Sequence, residues 1–340
     1  MGTIVDYIKW RGDLDFDRDA FNVMDNIVLS VVSYVEMDEI FTGLKADVLT
    51  LKEISDLYFE KLYDKKNFRD GSVLKDGPDI LRMIADTDRF RNVRVRNYIS
   101  LNDTGRTLQF AAMEFMLTES VSYIAFRGTD DTVVGWKEDF HLAMTETEAE
   151  KETVAYINRI AGGNDRQYYV GGHSKGGHLA VFAAAQCRQD IRDRIIRIFS
   201  NDGPGFMEEV AGSAPIKAIL PRLVSIIPED AVVGLLMNPV GDPIVVKSTA
   251  KSLFQHNPAT WCLEGKSFIT ASGISAGAKT FRKLIKESLG KMSREELDDF
   301  VENIFSIFDN AGAETLTDFK KGGLKSLKSI AHAIRYKRDE

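Results

Sequence analysis

Gly172-His173-Ser174-Lys175-Gly176 places a serine between glycines, behind the apolar run Tyr168-Tyr169-Val170 and ahead of a helix-forming stretch. A buried strand, a sharp turn and a helix in that order lift a serine Oγ clear of a sheet. The flanking glycines are required there, because a Cβ would collide with the neighbouring strand or helix. The rival reading is a Gly-rich turn without chemistry. A serine hydroxyl is a poor nucleophile at neutral pH, so Ser174 needs a base, an orienting acid and donors for an oxyanion.

In open α/β sheets such groups gather where strands end at their carboxyl edge. Two acids follow later strands. Asp202 sits in Asn201-Asp202-Gly203-Pro204-Gly205, after the strand Ile195–Ser200. Asp230 lies just past Pro228, after Leu223-Val224-Ser225-Ile226-Ile227. Both fit the chain order Ser, acid, His. The Gly-Pro context of Asp202 suggests an Asx-type turn, so Asp230 is preferred. A helix N-cap is the competing role for Asp230.

The chain has five histidines. His141 precedes the nucleophile, against the expected order. His173 is locked inside the turn, with its ring expected to face away from Ser174. His178, one helical turn after Ser174, is expected to be buried against the sheet, and His332 falls in a basic C-terminal segment. His256 remains, in Gln255-His256-Asn257-Pro258, and is the expected general base. The oxyanion donors are expected from the backbone N–H of Lys175 and from Thr129, in Phe126-Arg127-Gly128-Thr129 at the end of an earlier strand. The Lys175 side chain reads either as a solvated residue or as a cation at the site mouth that favours an anionic substrate.

The elements that must position these groups show in the periodicity. Phe21, Met24, Val28, Val31, Val32 and Val35 share one helical face, and Leu51, Ile54, Leu57, Tyr58 and Leu62 another. Both read as packing elements with no chemistry. Val93–Arg96, Leu108–Met116 and Ser122–Phe126 read as strands, with a turn at Asn102-Asp103-Thr104-Gly105. Helix then alternates with strand through 168–171, 195–200 and 222–227. The expected class is α/β, with a mostly parallel sheet, helices on both faces and an antiparallel meander in front. Thr270–Gly277 reads as a boundary between a domain over 1–270, N-terminal helices included, and a helical extension over 278–340. In the extension, Ser293 and Glu296 form a capping box before the stripe Leu297, Phe300, Ile304, Phe305 and Phe308. The last segment carries Lys320, Lys321, Lys325, Lys328, Arg335, Lys337 and Arg338 beside Leu324, Leu327, Ala331 and Ile334. Its apolar side is expected to pack on its own protein, ahead of a homodimer and then of an anionic membrane.

The chain has 340 residues, 44% of them hydrophobic and 28% charged, which suits one large globular domain with an extension. A net charge of −7 argues against a general nucleic-acid binder. Two cysteines make no disulfide framework. The charged N-terminus reads as no signal peptide, Asp6 breaks the myristoylation pattern, and no apolar run spans a bilayer, so a cytoplasmic location is expected.

Phe126-Arg127-Gly128-Thr129, then Trp136 and Asp139, then Gly-His-Ser-x-Gly-Gly resemble the class 3 lipase branch of the α/β hydrolases. The chain is most similar to a bacterial lipase-class-3-like group long classed as a domain of unknown function. The likeness extends to Tyr7–Gly12, Asn201–Phe206, Pro228-Glu229-Asp230 and His256–Trp261. The resemblance implies an α/β-hydrolase fold with Ser174 as nucleophile, Asp230 as acid, His256 as base and Thr129 as oxyanion residue. Trp136 and His173 are assigned to substrate binding. It implies hydrolysis of a carboxylic ester, with a small-molecule ester or lipid as substrate and no metal or organic cofactor. Lys175 replaces the apolar residue usual after the lipase serine. Asp130–Phe140 occupies the place of a lid but is polar, which favours a soluble or amphiphilic ester over insoluble fat. The alternatives are a non-catalytic scaffold for a ligand or partner, or a phospholipid-directed hydrolase at a membrane surface.

Overall fold

The computed structural model describes residues 1–44, 46–62, 76–103, 108–129 and 147–289. Eight strands form one sheet in sequence order: β1 (Val48–Thr50), β2 (Arg94–Asp103), β3 (Leu108–Met116), β4 (Val121–Phe126), β5 (Gln167–His173), β6 (Ile195–Asn201), β7 (Leu223–Pro228) and β8 (Ile244–Val246). β1 to β4 pair antiparallel, and β4 to β8 pair parallel. The α/β class and the leading meander are as the sequence pattern predicts.

The strand order never reverses, and this decides where the helices go. Parallel crossovers are right-handed. A run of them in one direction puts every connecting helix on the same face. That face is covered by Glu148–Ala161, by Lys175–Gln186 and by the short helix Ala214–Ile219, whose Ile157, Leu179 and Ile216 pack on Ile124, Phe126, Val170 and Ile198. The other face would be bare without the N-terminal segment. It is covered by α1 (Ile4–Arg11), α2 (Val23–Val32) and α5 (Asp76–Ile84). Tyr123, Ala125 and Phe199 point into that second core, between Phe21, Met24, Ile27 and Val28. β4 is continuously apolar for this reason: its alternate residues enter two different cores. The intervening helices are α3 (Asp38–Leu44) and α4 (Leu51–Leu57), and α4 passes into a π-helical turn at Tyr58–Leu62 where the periodicity suggested one helix.

α2 starts at Asn22, which forms a capping box with Asp25. Asp25 is fully buried and also takes a forked pair from Arg89, with Nε and Nη2 donating to its two oxygens at 2.7 and 2.6 Å. Arg89 further donates to the carbonyls of Leu14 and Asp19, each at 2.9 Å, and the Tyr7 hydroxyl donates to Asp25 at 2.9 Å. One buried ion pair thus ties α1, α2 and the segment after α5 together.

Near the described C-terminus, the helix Ala276–Leu289 starts with Ala278 packed against Ile227, Ala231 and Leu235. The capping box at Ser293 and the basic segment lie outside the described residues. Among the described residues, no helix is long and apolar enough to cross a membrane.

Candidate active site

The two helices after the meander are α6 (Glu148–Ala161) and α7 (Lys175–Gln186). Between β5 and α7 stands Ser174, at φ 57 and ψ −132. Only a backbone held from several sides keeps a non-glycine residue there. Its N–H donates to the Asn201 carbonyl at 2.9 Å, and its carbonyl accepts from Gly177 N–H at 2.8 Å. α7 crosses so near the end of β4 that a Cβ at Gly176 would collide with the Phe126 carbonyl oxygen. The glycine in the motif is therefore a requirement of packing.

Asn201 ends β6 beside His173, and Asp202 follows it at φ 49. Asp202 is fully buried. Its N–H donates to the Ile226 carbonyl at 2.7 Å and its Oδ1 accepts from Gly234 N–H at 3.0 Å. Its Oδ2 lies 2.6 Å from His256 Nδ1. A carboxylate only accepts, so Nδ1 carries the proton and Nε2 is the basic nitrogen of the neutral ring. The His256 ring centroid is 4.4 Å from that of His173, the residue before Ser174. The structure therefore brings Ser174, Asp202 and His256 to one edge of the sheet.

The carboxylate beside His256 is that of Asp202 and not that of the expected Asp230. Asp230 does not meet His256. Its carboxylate accepts from Ser252 N–H at 3.0 Å and from Gln255 Nε2 at 3.1 Å, and its N–H donates to Gln255 Oε1 at 2.9 Å. Asp230 grips the loop that carries His256. Asp202 makes no Asx turn: its two oxygens go to Gly234 N–H and to His256.

Two further expectations change. His173 does not line a substrate space: it is buried, Nε2 donates to the His256 carbonyl at 2.7 Å, and Nδ1 lies 3.0 Å from the Tyr34 hydroxyl. Burial, followed by the neighbouring His256, holds its pKa well below the usual imidazole value. The Lys175 side chain is neither solvated nor at the mouth. It is buried, with Nζ donating to the Gln109 carbonyl at 3.1 Å. Its backbone N–H belongs to the first turn of α7, where helix geometry supplies no intrahelical acceptor. Thr129 stands half-buried just past β4, and Gly128 before it lies against Gly176 in that turn. Trp136, the segment 130–140 and His141 lie outside the described residues.

His178 is buried as expected. One nitrogen faces the Gly205 carbonyl at 2.9 Å and the other Glu150 Oε1 at 3.0 Å, with Phe206 stacked 4.2 Å away. Both nitrogens are committed to internal partners. Burial raises the Cys262 thiol and pushes Cys187 up to about 11, which leaves neither poised as a thiolate.

Sequence reasoning gave Tyr34 no role. It stands in the turn after α2, inside a stretch whose sequence shows only packing periodicity, and a contact across 139 positions leaves no local signal.

The sequence model of the Mbeg1-like family matches residues 84–306. The chain belongs to the Mbeg1-like family. The match begins at the last residue of α5, so nearly all of the helical segment covering the second face lies upstream of it. A search of curated proteins finds no match to this sequence. Among solved structures, this Mbeg1-like chain is similar to the native Rhizomucor miehei lipase–propeptide complex, at 15% identity and a TM-score of 0.36, over 45% of this chain and 57% of that one. It is also similar to a fungal lipase–inhibitor complex, at 12% identity and a TM-score of 0.40, over 65% and 77% of the two chains. A third is M37 lipase, at 16% identity and a TM-score of 0.37, over 64% and 71%.

Proposed function

We propose that the protein is a serine hydrolase that cleaves a carboxylic ester through Ser174, His256 and Asp202. The observation that carries this is the 2.6 Å contact of His256 Nδ1 with buried Asp202, beside a serine held at φ 57. His256 Nε2 takes the Ser174 proton as Oγ attacks the ester carbonyl. The N–H groups of Lys175 and Thr129 receive the oxyanion. His256 then returns its proton to the departing alcohol, and water attacks the acyl-enzyme by the same route. No step calls on a metal or an organic cofactor. The lipase names of the structural neighbours agree with an ester as substrate class.

The test is labelling by a fluorophosphonate probe, which reacts only with an activated serine. The expected result is one label per chain, absent in Ser174→Ala. A correctly folded chain that takes no label makes the fold a scaffold without hydrolase chemistry, and a label that survives in Ser174→Ala overturns Ser174 as the nucleophile.

A further inference from the structure

We infer that Tyr34 and His173 form a positioning strut that holds the general base, so that the N-terminal segment is part of the catalytic apparatus. This rests on the hydrolase reading above.

The His256 carbonyl can only accept, so His173 Nε2 must carry the proton that meets it at 2.7 Å. In the neutral ring Nδ1 is then an acceptor, and the Tyr34 hydroxyl at 3.0 Å is its donor. The other tautomer would set the Nε2 lone pair against the carbonyl oxygen. The His256 carbonyl thus selects the tautomer, and the Tyr34 hydroxyl supports it, its one proton shared between Nδ1 and the His173 carbonyl. Burial keeps His173 neutral, so the strut retains this form while His256 gains and loses its proton.

The same hydroxyl also lies 3.1 Å from the His173 carbonyl. It packs so closely on Gly128 that a Cβ there would collide with it. Gly128 precedes Thr129, and His173 precedes Ser174. One phenol from the end of α2 therefore braces the turn of the oxyanion residue, the turn of the nucleophile and, through His173, the loop of the base. That loop is held on both sides of His256 as well. Gln255 is gripped by Asp230, and Asn257 Nδ2 donates to Asp76 Oδ2 at 2.8 Å. The held carbonyl and the Asp202 contact together fix the direction of Nε2, and misplacing a catalytic group by about 1 Å costs on the order of a hundredfold in rate.

The experiment is the rate and the final extent of fluorophosphonate labelling in the full chain, over a range of pH, for Tyr34→Phe, His173→Leu and His173→Gln. Labelling of Tyr34→Phe is expected to slow about tenfold, and of His173→Leu about a hundredfold, with the pH at half-maximal rate little changed. The Gln amide can still donate to the His256 carbonyl, so His173→Gln is expected to regain most of the rate. All variants should reach full labelling. A merely structural role would lower the final extent and leave the rate of the folded fraction alone. If His173→Leu does not fold, Tyr34→Phe decides. Variants that label within about twofold of the wild-type rate overturn the strut and leave the hydrolase reading standing. A folded wild-type chain that takes no label overturns both.

Discussion

Ser174 and Asp202 follow neighbouring strands, both at positive φ, 57 and 49, and each N–H donates across to the next strand, at Asn201 and at Ile226. Non-glycine residues rarely hold a positive φ. Two of them side by side at the carboxyl edge send two side chains off the sheet at one place. The strain is met by ordinary sheet-edge hydrogen bonds, with Asn201 fixed in turn by Asn26 at 2.9 Å and by the Gly172 carbonyl at 2.9 Å.

Asp202→Asn and Asp230→Asn should separate the two acids. An amide at 202 can present its NH2 or its oxygen to His256, and the tautomer is no longer fixed. The expected loss in kcat/KM on a short p-nitrophenyl ester is about 10³–10⁴-fold. Asp230→Asn keeps an acceptor for Ser252 and Gln255 and should cost no more than about tenfold. The reverse ranking would restore Asp230 as the acid.

Gly176→Ala should fail for a steric reason. The added methyl meets the Phe126 carbonyl, which cannot retreat without breaking the β4–β5 pairing. Overpacking of this kind costs roughly 1–3 kcal/mol or more. Both the thermal midpoint and labelling of Ser174 should fall. A variant with wild-type midpoint and labelling would mean that α7 can move away from β4.

The Arg89–Asp25 pair predicts a stability asymmetry. Removing one partner leaves a buried charge uncompensated, so Asp25→Ala or Arg89→Met should each cost about 3–5 kcal/mol in urea unfolding. Removing both should cost less than the sum of the two. Strictly additive losses would argue that the pair contributes only through its separate backbone contacts.

His173 sets a pH dependence. Its folded pKa is depressed, so below the ordinary imidazole value near 6.5 the unfolded chain binds a proton that the folded chain refuses. Stability should therefore fall as pH drops below about 6.5, with His173 contributing up to about 1.4 kcal/mol per pH unit. His173→Gln should flatten that slope between pH 6.5 and 5 by up to one proton. An unchanged slope in urea titrations would mean that His173 does not resist protonation.

The strand–turn–helix of Ser174, the meander and the parallel run were legible because each is written in local periodicity and glycine placement. The expectation for His256 rests on chain order. The Gly-Pro context of Asp202 reads as a turn, and nothing local in the sequence shows that the end of β6 directs this carboxylate to His256, 54 positions away. Asp230 has the same chain order, and only the path of the 250–257 loop tells the two apart. Lys175 reads as a surface residue from its charge alone, although it opens a helix buried against the sheet and its Nζ reaches the Gln109 carbonyl. Coverage of both faces was legible, but the need for α1, α2 and α5 to supply one of them follows from strand order, which local patterns do not encode.

That second face also sets an order of events during synthesis. Asn26 on α2 bonds Asn201 at the end of β6, across 175 positions. At ribosomal rates of about 5–20 residues per second, α2 waits roughly 10–35 s before β6 exists to receive it. Throughout that interval the face that carries Ile27, Val28 and Val31 is covered only in part, by β4 and then β5 as each emerges. Long-range closure of this kind is slow and leaves apolar surface exposed to aggregation. Nascent chains stalled before residue 195 should accordingly bind holdase chaperones through residues 21–35, and release them once β6 has emerged.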